Sequence, residues 1–170
     1  MERWLQIQEF PRYSVSDQGR VRNEDTGRIM TPVSNGAGVM AVYLTQDGRQ
    51  YARGVAKLVA THFLPHTTDA AGTPLHRDGD RTNNSAENLL MRPRWYVFKY
   101  LQQFERYRPP FVDLPIIETE TGIIFPNSWE ATKHFGILET EIAHSYHAYH
   151  GRGERVRAIP TFYYFRRYEP

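Results

Sequence analysis

His76 stands in the stretch Thr73-Pro74-Leu75-His76-Arg77-Asp78-Gly79-Asp80-Arg81-Thr82-Asn83-Asn84, with Asn88 four residues further on. A histidine can take a proton from water near neutral pH. Carboxylates and amides can hold a hard divalent cation or tie a loop to itself. Both uses are open here. Asp78 and Asp80 are oxygens that could recruit an ion, yet Asp78 before Gly79 also has the chemistry of a tight turn that accepts backbone hydrogen bonds. The residue directly before His76 is Leu75, which offers a cation nothing. Cysteine is absent, so disulfides and thiolate zinc sites are excluded and any metal must sit on His, Asp, Glu or Asn. A second set, His144, His147 and His150, recurs every three residues. That spacing drifts by about 60° per step around a 3.6-residue helix, which argues against one shared ion and for exposed contacts to phosphates or bases.

The elements that position these residues follow from periodicity. Up to about residue 50, short alternating stretches are separated by Asp17-Gln18-Gly19, Asp25-Thr26-Gly27 and Asp47-Gly48, the chemistry of hairpin turns, and predict an antiparallel meander. Val55, Leu58, Val59, His62 and Phe63 fall on one helical face, so a helix should end before Pro65. Residues 65–72 read as a loop leading to the histidine segment. Ser85 is expected to cap a short helix through Leu90, and Pro93 to break it. A longer helix is expected over Trp95–Tyr107, with Val97, Tyr100, Leu101 and Phe104 on one face, stopped by Arg108-Pro109-Pro110. Beyond it, Pro115–Thr119 and Ile123–Pro126 predict a hairpin. Asn127 or Ser128 should cap a helix with Ala131 and Phe135 inward, Gly136 turns the chain, and Ile137, Ile142 and Tyr146 anchor a second helix. This is a helix-turn-helix layout. Thr161–Tyr168 reads as a closing strand with an exposed-looking aromatic surface.

The whole is an α+β chain: a β meander over 1–50, a core over 51–94, a linker helix over 95–112 and a helix-turn-helix module over 113–170. Its 170 residues are 40% hydrophobic and 24% charged, normal for a globular protein. No apolar run approaches the roughly 20 residues that cross a bilayer, and Met-Glu-Arg-Trp does not open a secretory signal. The expected place is therefore the cytoplasm of a bacterial host cell, with no membrane partner. A net charge of +2 is low for a protein that must replace counterions on nucleic acid. Only Lys57, Lys99 and Lys133 are lysines, and the other basic residues are arginines, whose planar forks suit phosphates and guanine edges.

Four stretches in order resemble the HNH homing endonucleases of bacteriophages. Trp4, Ile7, Phe10, Tyr13, Val15, Ser16, Gly19, Arg20 and Val21 resemble the amino-terminal modular motif of that family, with the spacer before Tyr13 shortened and carrying Pro11. Gly54–Pro65 is similar to its core helix, with Ala56 where the family has a histidine. His76–Leu89 resembles the HNH loop, and 116–151 the carboxy-terminal helix-turn-helix module. The resemblance implies a core of the ββα-metal type. His76 would be the general base, Asp78 and Gly79 the turn, and Asn83, Asn84 and Asn88 the amides that tie the loop down. In the family one divalent ion stabilises charge on the phosphate and the departing oxygen. Its two protein ligands are an Asp or Asn directly before the histidine and an Asn or His on the helix about twenty residues later. Leu75 and Val97 occupy those places here.

This pattern implies a DNA-binding protein, a monomer on double-stranded DNA, without nuclease activity and without a cofactor. A nicking endonuclease that gathers Mg²⁺ or Mn²⁺ through Asp78 or Asp80 stays open, as does a repurposed phage protein that binds and inhibits a host or defence protein. Candidate DNA contacts are Arg20, Arg22 and Arg28 on the meander, Arg49, Arg53 and Lys57 entering the core, and Arg92 and Arg94 after it. In the last module they are His144, His147, Arg152, Arg155 and Arg157. As a set these favour phosphates over bases.

Overall fold

The computed structural model describes residues 1–36, 38–65, 72–105, 108–152 and 163–169, the side chains of 148–152 excepted. Arg155 and Arg157 lie outside the described residues, as do the side chains of His150 and Arg152. The chain forms two compact units, Met1–Val97 and Phe98–Pro170.

In the first unit, β1 (Trp4–Gln6), β2 (Tyr13–Ser16) and β3 (Val21–Asn23) form one antiparallel sheet. A second contains β4 (Val33–Ser34), β5 (Met40–Gln46) and β6 (Arg49–Gly54). The β5–β6 turn places both Asp47 (φ 51°) and Gly48 (φ 74°) in the left-handed region, which matches the twist of the strands it joins. β6 runs directly into α1 (Val55–Phe63), and β7 (Thr73–His76) pairs antiparallel with β8 (Leu89–Arg92). Val15 and Val21 of the first sheet, Val42 and Leu44 of the second, Val55 and Val59 of α1 and Leu89 of β8 share one hydrophobic core. The buried Tyr13 hydroxyl accepts the Thr45 amide at 3.1 Å, satisfying its polar end where the two sheets meet.

α2 (Arg94–Gln102) begins in the first unit and belongs to the second from Phe98 onward. There follow β9 (Ile116–Glu118), β10 (Ile124–Phe125), α3 (Ser128–Phe135), α4 (Glu139–Arg152) and β11 (Phe165–Arg167), with β9 central in an antiparallel sheet ordered β10-β9-β11. Asn127 caps α3 by accepting the Glu130 amide, and Gly136 ends it at φ 61°, the left-handed stop that glycine takes without a Cβ penalty. Glu118 is fully buried and accepts from the amides of Glu120, Thr121 and Tyr164 and from the Thr121 hydroxyl. Burial alone would push this carboxyl up, but the bonds from Thr121, Glu120 and Tyr164 together hold it below its usual range. One carboxylate thus closes the β9 turn and seats β11.

Three expectations are corrected. The helix expected through Tyr107 stops at Gln102, because the amides of Gln103, Phe104 and Glu105 bond three residues back instead of four. Ser85 does not cap through its side chain, and its hydroxyl donates to Asn83 Oδ1 instead. The segment after it is a 3-10 turn over Ala86–Asn88, since Leu89 already pairs with His76 as strand. The closing strand forms, but Phe165 faces inward and is fully buried, so the tail is not the open aromatic surface its composition predicts.

Gly19 lies at φ 80°, and a Cβ placed there would stand 2.9 Å from Asn84 Cβ and 3.0 Å from its carbonyl oxygen. Gly19→Ala is therefore expected to destabilise the first unit by about 1–3 kcal/mol through left-handed strain and overpacking. It should also move the His76 ring resonances in NMR spectra. Urea unfolding at wild-type midpoint with unmoved His76 signals would contradict this contact.

Candidate nucleic-acid interface

The histidine loop hangs between β7 and β8, where Leu75 pairs with Leu90 and His76 with Leu89. Leu75 is fully buried, and His76 is 7% exposed. Asn88 fastens both ends of the loop. Its side-chain amide donates to Asp78 Oδ1 and to the Asn83 carbonyl, both at 2.9 Å, and its oxygen accepts the Asp78 amide at 3.2 Å. Asn83 donates to Asp78 Oδ2 at 2.7 Å, and Asp78 Oδ1 also accepts the Asp80 amide at 2.9 Å. Asn84 donates to the Thr82 carbonyl at 3.1 Å, which leaves its oxygen to accept from His76 Nε2 at 3.0 Å. That pairing assigns the ring proton to Nε2. His76 is thus a donor inside the loop through Nε2.

The ion implied by the resemblance does not fit these residues. Val97 is 6% exposed, so buried hydrocarbon stands at both positions where the resemblance puts oxygen ligands. Both oxygens of Asp78 are committed to the loop. Asp80 Oδ1 accepts the Thr82 hydroxyl at 2.7 Å and the Thr82 amide at 2.8 Å. The Thr82 hydroxyl and then its amide are the chief reasons the Asp80 carboxyl sits below its usual range, with a smaller pull from His76. Among the described residues no three His, Asp or Glu side chains gather as an ion would require.

The loop is also held from the amino terminus. The Ala86 amide donates to the Asp17 carbonyl at 2.7 Å, and Gly19 lies against Asn84. Asp17 is in turn gripped by Arg3, through its amide at 3.1 Å and Nε at 3.0 Å. The side-chain bond from Arg3 is the main reason its carboxyl falls below the ordinary range.

The basic residues divide into engaged and open ones. Arg20 is ion-paired with Glu2 and lies over Trp4. Arg22 pairs with Glu24 at 3.0 Å and stacks 4.4 Å from the Trp4 ring centre. Arg53 stacks on Phe10 and faces Glu9 at 3.7 Å. Lys57 donates to the Gly72 carbonyl and Arg92 to the Met91 carbonyl. Arg28, Arg49 and Arg94 are exposed and have no ion pair among the described residues. Sequence reasoning missed the outward face of the β5–β6 ribbon, where register puts exposed Tyr43 beside Ala52 and Thr45 beside Gln50. The alternation about Asp47-Gly48 carries that signal. A two-stranded ribbon of this kind can enter a major groove.

In the second unit, α4 buries Ile142, Ala143 and Tyr146 and exposes His144 and His147. Glu139, in the first turn of this helix, is buried. It accepts from the Ser128 hydroxyl at 2.6 Å and the Phe111 amide at 2.9 Å, and Arg108 lies 2.8 Å from its other oxygen. Its charge is therefore met inside the unit. Burial pushes the Glu141 carboxyl up to about 7, against the opposing charge of Lys99. A carboxyl raised on folding stabilises below its unfolded value, near 4.5, and that contribution is lost as pH rises through about 7. The stability of the second unit should accordingly fall between those limits, and Glu141→Gln should flatten the profile. Thermal melts across pH would check it, and an equal slope in the variant would remove Glu141 as the source.

The NUMOD4 motif matches residues 2–45. Two HNH endonucleases of Acanthamoeba polyphaga mimivirus are similar in sequence. One is 31% identical over 109 residues, covering 64% of this chain and 26% of its own length. The other is 26% identical over 98 residues, covering 58% and 28%. The chain thus spans about a quarter of the length of these relatives, which are mimivirus rather than bacteriophage proteins. A solved structure of the HNH homing endonuclease I-HmuI, described for its DNA binding and cleavage, shares the fold with a TM-score of 0.55 and 20% identity over 99% of each chain. No described helix is long and apolar enough to cross a membrane. In its amino-terminal motif, its sequence relatives and its fold the chain is thus similar to HNH homing endonucleases.

Proposed function

We propose that this chain is a DNA-binding protein on an HNH homing endonuclease scaffold, one that occupies its site without cutting it. The observation that carries the reading is the burial of Leu75 and Val97, 0% and 6% exposed, where the resemblance puts the ion's oxygen ligands. A hard cation held only by water and a phosphate is weakly placed. His76 without that electrophile lacks the larger share of transition-state stabilisation. Supporting DNA as the partner are the uncharged outer face of the β5–β6 ribbon, the open Arg28, Arg49 and Arg94, and the exposed His144 and His147. The engaged arginines do not argue against it, because exposed ion pairs are worth about 0–1 kcal/mol and a phosphate can displace the carboxylate.

The nicking alternative has one observation on its side: Asp80 lies near enough to His76 for the imidazole to lower its carboxyl. In that reading His76 is the base, and Asp78 or Asp80 recruits Mg²⁺ or Mn²⁺. The host-protein alternative loses part of its motive with the burial of Phe165.

Binding to duplex DNA should weaken steeply between about 50 and 200 mM salt. Alanine at Arg28, Arg49 and Arg94 should each reduce the log–log slope by about 0.9. Mobility shifts test this, and no duplex binding at low salt would sink the reading. Supercoiled plasmid should stay intact with Mg²⁺ or Mn²⁺, whereas Leu75→Asp with Val97→Asn should introduce nicking. Wild-type nicking that His76→Ala abolishes would establish the alternative instead.

A further inference from the structure

A groove of about 280 Å³ lies between α1 and the turn that joins β1 to β2. Ile7 of the turn and Leu58 of α1 are buried parts of its lining, and Arg53, Lys57, Thr61 and His62 stand around them. Lys57 and Thr61 are one helical turn apart, as are Leu58 and His62, so each pair shares a row on the helix. The donors are held in place without being used up. Lys57 gives one proton to the Gly72 carbonyl at 3.1 Å, which leaves its ammonium two more. Arg53 lies over Phe10, 4.8 Å from the ring centre, and gives Nη1 to the Ala52 carbonyl at 3.2 Å. The exposed Thr61 hydroxyl has no hydrogen-bond partner among the described residues. His62 is fixed through Nδ1, which donates to the Leu58 carbonyl at 2.8 Å. The carboxylate in the lining is Glu9, whose side chain is 76% exposed and stands 3.7 Å from Arg53. Two cations and a free hydroxyl therefore face one solvated acid.

We infer that this groove seats one phosphodiester of a DNA strand, its phosphate held by Lys57, Arg53 and the Thr61 hydroxyl and its sugar lying over Ile7 and Leu58. The inference rests on the DNA-binding reading above and gives that reading a particular backbone contact. Size excludes a larger guest. Small-molecule sites offer roughly 300–1,000 Å³, and a groove at the bottom of that range has room for a sugar and a phosphate but not for a base pair. Charge excludes an apolar peptide side chain, which would cover the floor and leave the donors at the rim without partners. A phosphate instead takes the place of Glu9 beside Arg53, an exchange that gives up only a solvated ion pair. Contacts of this type, from Lys, Arg and Thr to phosphate oxygens, fix the register of a protein on its duplex and read no sequence. His62 lines the same groove and reports its occupancy.

The test uses the full chain and a mixed-sequence duplex at low salt. Thr61→Val removes a hydroxyl from an exposed position without changing charge or shape, so it should fold normally by circular dichroism. It should bind the duplex about tenfold more weakly with the wild-type salt slope, and Thr61→Ser should restore the affinity. Lys57→Ala should lower the log–log salt slope by about 0.9. The imidazole NMR signals of His62, assigned by their loss in His62→Gln, should move when duplex is added. Wild-type affinity in Thr61→Val, no recovery in Thr61→Ser, or His62 signals unmoved by bound duplex overturns the seat. Inorganic phosphate that moves those signals where duplex does not also overturns it, and makes the groove a site for a free phosphate. Absence of any duplex binding is a different failure, that of the DNA-binding reading itself.

Discussion

The contact between the amino-terminal turn and the histidine loop sets the organisation of the first unit. Gly19 must be glycine for two separate reasons, its φ of 80° and the Asn84 backbone that occupies the space of a side chain. Asn84 then presents its amide oxygen to His76, while Asp17, gripped by Arg3, receives the Ala86 amide. Strain at the turn therefore passes to the imidazole through a single residue. The sheet that bears Arg20 and Arg22 and the loop that bears His76 are parts of one packed body, and their shared core leaves no linker between them. Whatever engages the turn also fixes the loop.

Much of this was legible in the sequence, for reasons that can be assigned. α1 and α3 were readable because periodicity, caps and stops agree: apolar residues recur on one face of each, Pro65 follows the first, and Asn127 and Gly136 bracket the second. The loop amides, and their roles as ties, were readable from the resemblance. What the sequence concealed was tertiary. Glu139 reads as a first-turn acid that suits a helix dipole, yet it is sequestered by Ser128, Phe111 and Arg108, residues up to 31 positions away. Phe165 sits in a run of aromatics whose alternation says which residues share a face, but not which face is covered.

Electrostatics explain how a chain of net charge +2 can still present a usable surface. Several arginines are paired locally with Glu2, Glu24 and Glu9, so their charge is discounted before any partner arrives. Trp4 and Phe10 keep those guanidiniums flat against the protein, which lowers the entropy lost when a phosphate replaces the carboxylate. Affinity on such a surface comes from exchange of partners rather than from unopposed positive charge. It should be modest without contributions from shape, which is the role open to the ribbon.

The two ligand positions differ from the loop amides in what they cost to change. Asn84 and Asn88 each satisfy more than one buried or part-buried group, so replacing either strands its partners at about 1–3 kcal/mol apiece. Positions 75 and 97 are buried. An oxygen ligand there without its ion is a buried polar group lacking a partner, and leucine or valine removes that penalty while adding about 1.5–3 kcal/mol of apolar burial each. On the proposed reading, a scaffold released from cutting gains stability by changing those two residues and loses it by changing the amides. The pairing of an intact loop with hydrocarbon ligand positions is then the low-energy outcome for a protein that still has to hold DNA.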